Sequence, residues 1–202
     1  MAIKKNNFNE GDDVALWESF RAGSQSSFNI IVEKYFKSVF DYGIRFSRDR
    51  EFLKDCVQEV FLELWSKRDK IKSTSYVKWY LFKSVRLRIF REQIKWSRAD
   101  TLEDDYHFTV EFNIESSIIE ETTAKDLKDK IAKVLNDLPP RQREAVYLRF
   151  YEGLDFNEIS KVMNLSKQSV HNLLQKAYNN FRTEWTAPIA LVIFFSYCKS
   201  VN

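Results

Sequence analysis

Gly and Pro together number only seven in 202 residues, and from Asp13 to about Lys95 apolar residues recur at helical spacing nearly throughout. A chain this poor in turn residues cannot make the many reversals of a β-rich fold, so it is constrained to an all-α one. The segments VALWESFRAG, FNIIVEKYFKSVFDYGIRF, DREFLKDCVQEVFLELWSK and YVKWYLFKSVRLRIFREQIK read as four helices. WSRADTLEDDYHFTVEFNIESS then loses clear periodicity, and SIIEETTAKDLKDKIAKVLNDL resumes a helix that Pro139 and Pro140 stop. The expected organisation is two helical domains, residues 14–95 and 125–185, joined by an acidic linker, residues 96–124. An N-terminal tail, residues 1–13, and an apolar C-terminal tail, residues 186–202, complete it. Each half is long enough to bury a modest core.

The formal net charge of +3 hides a strong division along the chain. Between Ser97 and Ala124 stand eight acids and the single base Arg98, a local charge of −7, which leaves 31 bases and 21 acids, or +10, elsewhere. Two basic flanks around an acidic connector suggest contact with nucleic acid at both ends. Fully extended at ~3.3 Å per residue, residues 97–124 could span about 90 Å. That exceeds roughly 25 base pairs of duplex at ~3.4 Å each, so two domains so tethered could occupy separated DNA elements.

Other classes find little support. Cys56 and Cys198 lie far apart and the chain has only two histidines, too few for a dense Cys/His zinc site, so no metal or cofactor is expected. Cys56 reads as a small buried hydrophobe. The start, MAIKKNNFNEGDD, lacks the apolar run of a secretory signal, and the expected compartment is the cytoplasm. APIALVIFFSY, residues 187–197, is about half the ~20 residues a membrane-spanning helix needs, so packing on the second domain or a partner is expected instead. Neither histidine has a recognisable nucleophile beside it and no glycine loop could cradle phosphate, which argues against an enzyme.

The second domain carries the sharpest pattern. Asp155 followed by Glu158 reads as a capping box that starts the short helix FNEISKV. Ile159 and Met163 point inward, Ser160 is small where two helices cross, and Asn164 suits a left-handed turn. Leu165, Val170 and Leu173 complete the inward set of a helix-turn-helix, with Ser166 capping its second helix. Leu174, Ala177 and Phe181 continue that helix's apolar side. Opposite lie Gln168, His171, Asn172, Gln175, Lys176 and Asn179, amides and hydrogen-bonding groups rather than the Lys and Glu of an ordinary solvated face. Such a helix enters the major groove, where Gln and Asn can pair bidentately with adenine. A plain helical hairpin with a polar outer face is the alternative.

In DCVQEVFLELW, Val57, Val60, Phe61 and Leu64 face a core while Asp55, Gln58, Glu59, Leu62 and Trp65 form a mixed face that suits a partner helix. Alternatively, Leu62 and Trp65 complete a wide core. In the fourth helix, Leu81, Phe82, Val85 and Ile89 supply the core stripe. Trp79, Lys83, Arg86 and Phe90 alternate aromatics and bases along another face, and Arg88, Arg91 and Lys95 lie on a third. Aromatic surfaces stack on unpaired bases and cations hold the backbone, so this helix suits opened DNA. The bland reading packs Trp79 and Phe90 under the chain.

LPPRQREAVYLRFYEGLDFNEISKVMNLSKQSVHNLLQKAYNNFR resembles region 4 of the bacterial sigma factors. The resemblance implies recognition of an upstream promoter element and contact with the polymerase flap. It places Ser166, Lys167, Gln168, Ser169, His171, Asn172, Gln175 and Lys176 at DNA, with Arg141 and Arg143 near its backbone; those two arginines could instead be solvated bases. DCVQEVFLELW and YVKWYLFKSVR resemble region 2 of the extracytoplasmic-function (ECF) group. This implies polymerase binding through Asp55, Gln58, Glu59, Leu62 and Trp65, and recognition and melting of a downstream element through Trp79, Lys83, Arg86, Arg88 and Arg91. IKSTSY, with Ser73, Thr74, Ser75 and Tyr76, would be the loop that captures a flipped base. Leu87, Arg91 and Gln168 stand where the family often has Asn, Asp and Gly, departures that bear on promoter sequence. The implied partners are core RNA polymerase, promoter DNA and an anti-sigma factor, bound by a monomer without membrane insertion. A regulator binding duplex without polymerase is the rival, but it leaves the DCVQEVFLELW face and the Trp79 stripe unassigned.

Overall fold

The computed structural model describes residues 10–74, 76–96, 106–110 and 133–184, and the chain divides into two compact units near residue 100. The expectation of an all-α fold is met: every regular element among the described residues is helical.

The first unit is four helices: α1 (Glu10–Arg21), α2 (Gln25–Gly43), α3 (Arg50–Ser66) and α4 (Val77–Trp96). Their starts follow from local chemistry. Ser24 accepts the amide of Ser27 at the head of α2, and Asp49 accepts those of Glu51 and Phe52 at the head of α3. Gly23, at φ +99°, makes the reversal between α1 and α2, where a side chain would be strained. α2 packs against the other three helices. Trp17, Phe20, Ile31, Val39, Tyr42, Leu53, Val57, Leu81, Phe82, Val85 and Ile89 fill the core between them. The aromatic residues interlock: Tyr42 stacks on Phe82 at 4.7 Å, and Trp17 meets Phe20 at 5.2 Å. Cys56 is buried as expected, and burial pushes its thiol up to about 11.

α1 begins at Glu10, inside the stretch expected to be a tail. Asp13 explains why: its carboxylate accepts from the Lys34 ammonium and, at 2.6 Å, from the Tyr35 hydroxyl. Burial, aided by that carboxylate, raises the Tyr35 phenol well above its ordinary value.

In the second unit residues 133–137 are helical and Leu138 and Pro139 end that turn. α5 (Pro140–Val146) follows and runs directly into a π-helical turn, Tyr147–Tyr151, closed by the Glu152 amide on the Tyr147 carbonyl at 3.2 Å. Gly153, at φ +70°, then redirects the chain into α6 (Phe156–Met163), which leads to α7 (Lys167–Glu184). α7 packs on both α5 and α6. Val134, Leu135, Leu138, Val146 and Ala177 share one cluster.

Residues 106–110, within the expected linker, pack onto this unit. Phe108 and Val110 are buried, and the Phe108 ring meets Tyr147 edge-on at 5.7 Å. Linker positions 97–105 and 111–124, the expected helix before residue 133 and the apolar tail at 187–197 lie outside the described residues, as do Ser75 and the Phe181 side chain, whereas Trp96 is the last residue of α4.

Candidate nucleic-acid interface

In the second unit, α6 and α7 form the expected helix-turn-helix. The Asp155 carboxylate accepts the Glu158 amide while the Glu158 carboxylate accepts the Asp155 amide, both at 2.7 Å. Asn164 takes the left-handed conformation, φ 55° and ψ 48°, and ends α6. The Ser166 hydroxyl accepts the Ser169 amide at 3.0 Å and caps α7. Ile159, Ser160, Met163 and Val170 are buried at the crossing, and Leu165 and Leu173 are half-buried.

The opposite side of α7 is presented outward. Ser166, Lys167, Gln168, His171, Asn172, Gln175 and Lys176 are exposed and Ser169 is half-exposed. Gln168 donates to Asn172 at 3.0 Å, so neighbouring amides orient one another before any ligand arrives. The His171 ring lies 6.1 Å from the exposed Phe156 ring, which the Arg149 guanidinium approaches at 5.4 Å.

In the first unit, Asp55, Gln58, Glu59 and Leu62 lie together on the outer side of α3. Leu62 is 62% exposed, although Val57, Val60, Phe61 and Leu64 around it are buried. Thr74 and Tyr76 sit in the loop between α3 and α4, Tyr76 exposed and Thr74 half-exposed. On α4, Lys83 and Trp79 are half-buried and Arg91 is exposed.

Comparison with known proteins agrees with both halves. The family described as "Sigma-70, region 4" matches residues 128–180. The chain is 21% identical over 175 residues to the ECF RNA polymerase sigma factor SigK of Mycobacterium ulcerans (strain Agy99), covering 85% of this chain and 92% of that one. Against the ECF RNA polymerase sigma factor SigM of Bacillus subtilis (strain 168) the identity is 24% over 151 residues, covering 73% and 88%. The chain is thus similar to ECF sigma factors over most of its length. Its fold is similar to that of the sigma factor RpoE from Bartonella quintana, solved in complex with the anti-sigma factor NepR. The TM-score is 0.55 at 20% identity, over 80% of this chain and 98% of that one.

Four residues are placed otherwise than the sequence suggests. Arg143 is turned onto its own unit: its guanidinium donates to the carbonyls of Leu135 (3.0 Å), Phe108 (2.7 Å), Leu138 (2.8 Å) and Asn136. It thereby ties the end of the 133–137 helix and the 106–110 segment to α5. Burial lowers its pKa, but a guanidinium stays protonated and the carbonyls use its charge. Arg86 is buried at 8% exposure with its guanidinium 4.6 Å from the Phe90 ring, so neither lines an open stacking face. Phe90 also meets Phe46 edge-on at 5.4 Å. Arg88 is largely covered and pairs with Glu63 and Glu92. Trp65 turns inward, 5.1 Å from Phe28, and carries Arg68 on its ring at 4.4 Å. Trp65 thus follows the alternative reading in part, while Leu62, which that reading placed in the core beside it, stays exposed.

Ser73 lies exposed in the expected loop, near the Glu18 carboxyl, which Ser73 and then Arg21 hold below the usual carboxylate range. Arg141 is exposed and rests over the Tyr106 ring at 5.4 Å. Sequence reasoning missed Arg143 as an anchor and Tyr106, Phe108 and Val110 as part of the second unit. One signal could have found them: Tyr106, Phe108 and Val110 alternate with exposed His107 and Thr109, the period of an extended chain lying on a surface.

Proposed function

We propose that this chain is an ECF sigma factor, a transcription initiation factor that binds core RNA polymerase and directs it to specific promoters in the cytoplasm. In this reading α7 lies in the major groove of an upstream element, with Gln168, Asn172 and Gln175 against base edges and Lys176 at phosphate. The first unit recognises and melts the downstream element through Thr74, Tyr76, Lys83 and Arg91, and grips polymerase through Asp55, Gln58, Glu59 and Leu62. The organisation into two DNA-contacting domains with an acidic connector belongs to the same proposal.

The observation that carries it is the exposed Leu62, ringed by Asp55, Gln58 and Glu59, in the same chain as a complete helix-turn-helix. A regulator acting on duplex alone has no use for that face, whereas a factor docked on a large protein does. The solved complex of RpoE with NepR supports an anti-sigma partner here as well. No helix among the described residues is long and apolar enough to cross a membrane.

Replacing Glu59 and Leu62 together with Ala tests the reading. Core-polymerase affinity should fall while the melting temperature holds, because both side chains are exposed. Undiminished pull-down would remove α3 from the polymerase contact.

A further inference from the structure

We propose that Trp17 and Arg21 of α1, the latter held by Glu18, are positioning residues that fix the backbone of the loop at Ile71 and Lys72, so that Thr74 and Tyr76 face an unpaired base already ordered. The inference rests on the proposed reading of this loop as the base-capturing one, and it adds what holds the loop in shape.

Residues 17 and 21 are four apart and residues 18 and 21 three apart, so Arg21 neighbours both on the helix surface. Two of them meet successive loop residues. The Arg21 Nε donates to the Ile71 carbonyl at 2.6 Å, and the Trp17 Nε1 donates to the Lys72 carbonyl at 3.3 Å. The Glu18 carboxylate pairs with the Arg21 guanidinium. Arg21 therefore links the loop backbone to Glu18, and these contacts form one network.

The network is itself anchored. Trp17 is fully buried, with Phe20 at 5.2 Å and, on α4, Tyr80 at 5.5 Å. On the α3 side the Lys70 and Ile71 amides donate to the Lys67 carbonyl at 2.9 and 3.2 Å. Farther along, the Tyr76 amide donates to the Thr74 hydroxyl oxygen at 3.1 Å. The Ile71 amide and the Ile71 and Lys72 carbonyls are thus spent inward, while the Tyr76 side chain remains 44% exposed.

A loop ordered before binding does not lose that conformational freedom when a base arrives, so the affinity it provides depends on its anchors. α1 touches no base in this scheme. Its effect should appear in base capture and not in polymerase binding, since Asp55, Gln58, Glu59 and Leu62 lie on α3.

The test uses the full chain with core polymerase and single-stranded oligonucleotides of the downstream element, from a promoter that the wild-type holoenzyme selects out of genomic fragments. Each base in turn is replaced by an abasic site. The wild type should lose affinity sharply at one captured position, and Tyr76→Ala or Thr74→Ala should erase that loss. Arg21→Ala should shrink the abasic penalty about tenfold, the size of one charge-assisted hydrogen bond, with polymerase affinity kept. Glu18→Ala, at a more exposed position, should shrink it in the same direction and decides the matter if Arg21→Ala does not fold. Should the loop variants erase the penalty while the α1 variants that fold retain it in full, the positioning role is wrong and the loop reading stands. Should the loop variants leave the penalty intact, or no position show one, the loop reading fails and this inference with it.

Discussion

α4 in the first unit and α7 in the second both offer a polar face beside an apolar stripe, yet the fold uses them in opposite ways. α7 keeps its amides outward, whereas α4 draws Arg86 into the core, ties Arg88 to Glu63 and Glu92, and covers Phe90 with Arg86 and Phe46. The difference lies in the side chains. Arg has a long apolar stem and a charge that can reach a ring or a carboxylate, so an internal partner competes with solvent for it. Gln168 and Gln175 on α7 are shorter, and the partners they find here are Asn172 and Asn179 on the same face. A short polar face is therefore better evidence for a binding surface than a row of arginines.

The same contrast separates Arg143 from Arg141, two residues apart. Arg143→Ala should produce the largest effect, a loss of about 3 kcal/mol in denaturant unfolding of the second unit, because three partly buried carbonyls and one exposed one lose a charged donor together. Arg141→Ala should cost little stability. Equal melting of the two variants would erase the distinction between anchor and surface base.

Gln175→Ala should come next, changing preference at a single upstream base by ~1–3 kcal/mol in a selection from randomised promoters, with stability unchanged. An identical preferred sequence would take Gln175 out of the reading set. On α4, Arg86→Ala should lower stability by about 1–2 kcal/mol through lost packing and its cation–π contact, while Arg91→Ala should leave folding intact and weaken only promoter opening. Lys176→Ala should act evenly across sequences and reduce the salt slope of promoter binding by about one unit.

The smallest effect is acid sensitivity on the far side of α4. Lys95, above all, and then Arg88 hold the Glu92 carboxyl below its ordinary 4.5. A depressed carboxylate contributes its stability fully above pH 4.5 and loses it as the pH falls through the lower folded value. Glu92→Gln should therefore melt slightly below the wild type at neutral pH and converge with it in acid. A constant gap across that range would assign the difference to packing.

The helices of the first unit, the capping box, the left-handed Asn164 and the Ser166 cap were all legible in the sequence, because each is set by neighbours within one helical turn. What escaped depends on distant partners. Periodicity assigns Trp65 to a face but cannot say that Phe28 and Phe20 wait beside it. The π-helical turn at Tyr147–Tyr151 has no sequence rule as simple as a cap. Arg143 looked like a basic surface residue because its acceptors are carbonyls, which every residue carries and no side-chain pattern reveals. Of the proposed site, α7 was legible nearly residue by residue, and α4 only in part.

The central claim, that this chain confers promoter-specific initiation on a polymerase, is tested most directly by run-off transcription with purified core RNA polymerase freed of its own sigma subunits. Added to genomic fragments, the chain should yield transcripts of discrete length from a small set of templates, and none without polymerase. Absence of any chain-dependent transcript, with no association between the two proteins, would contradict the account.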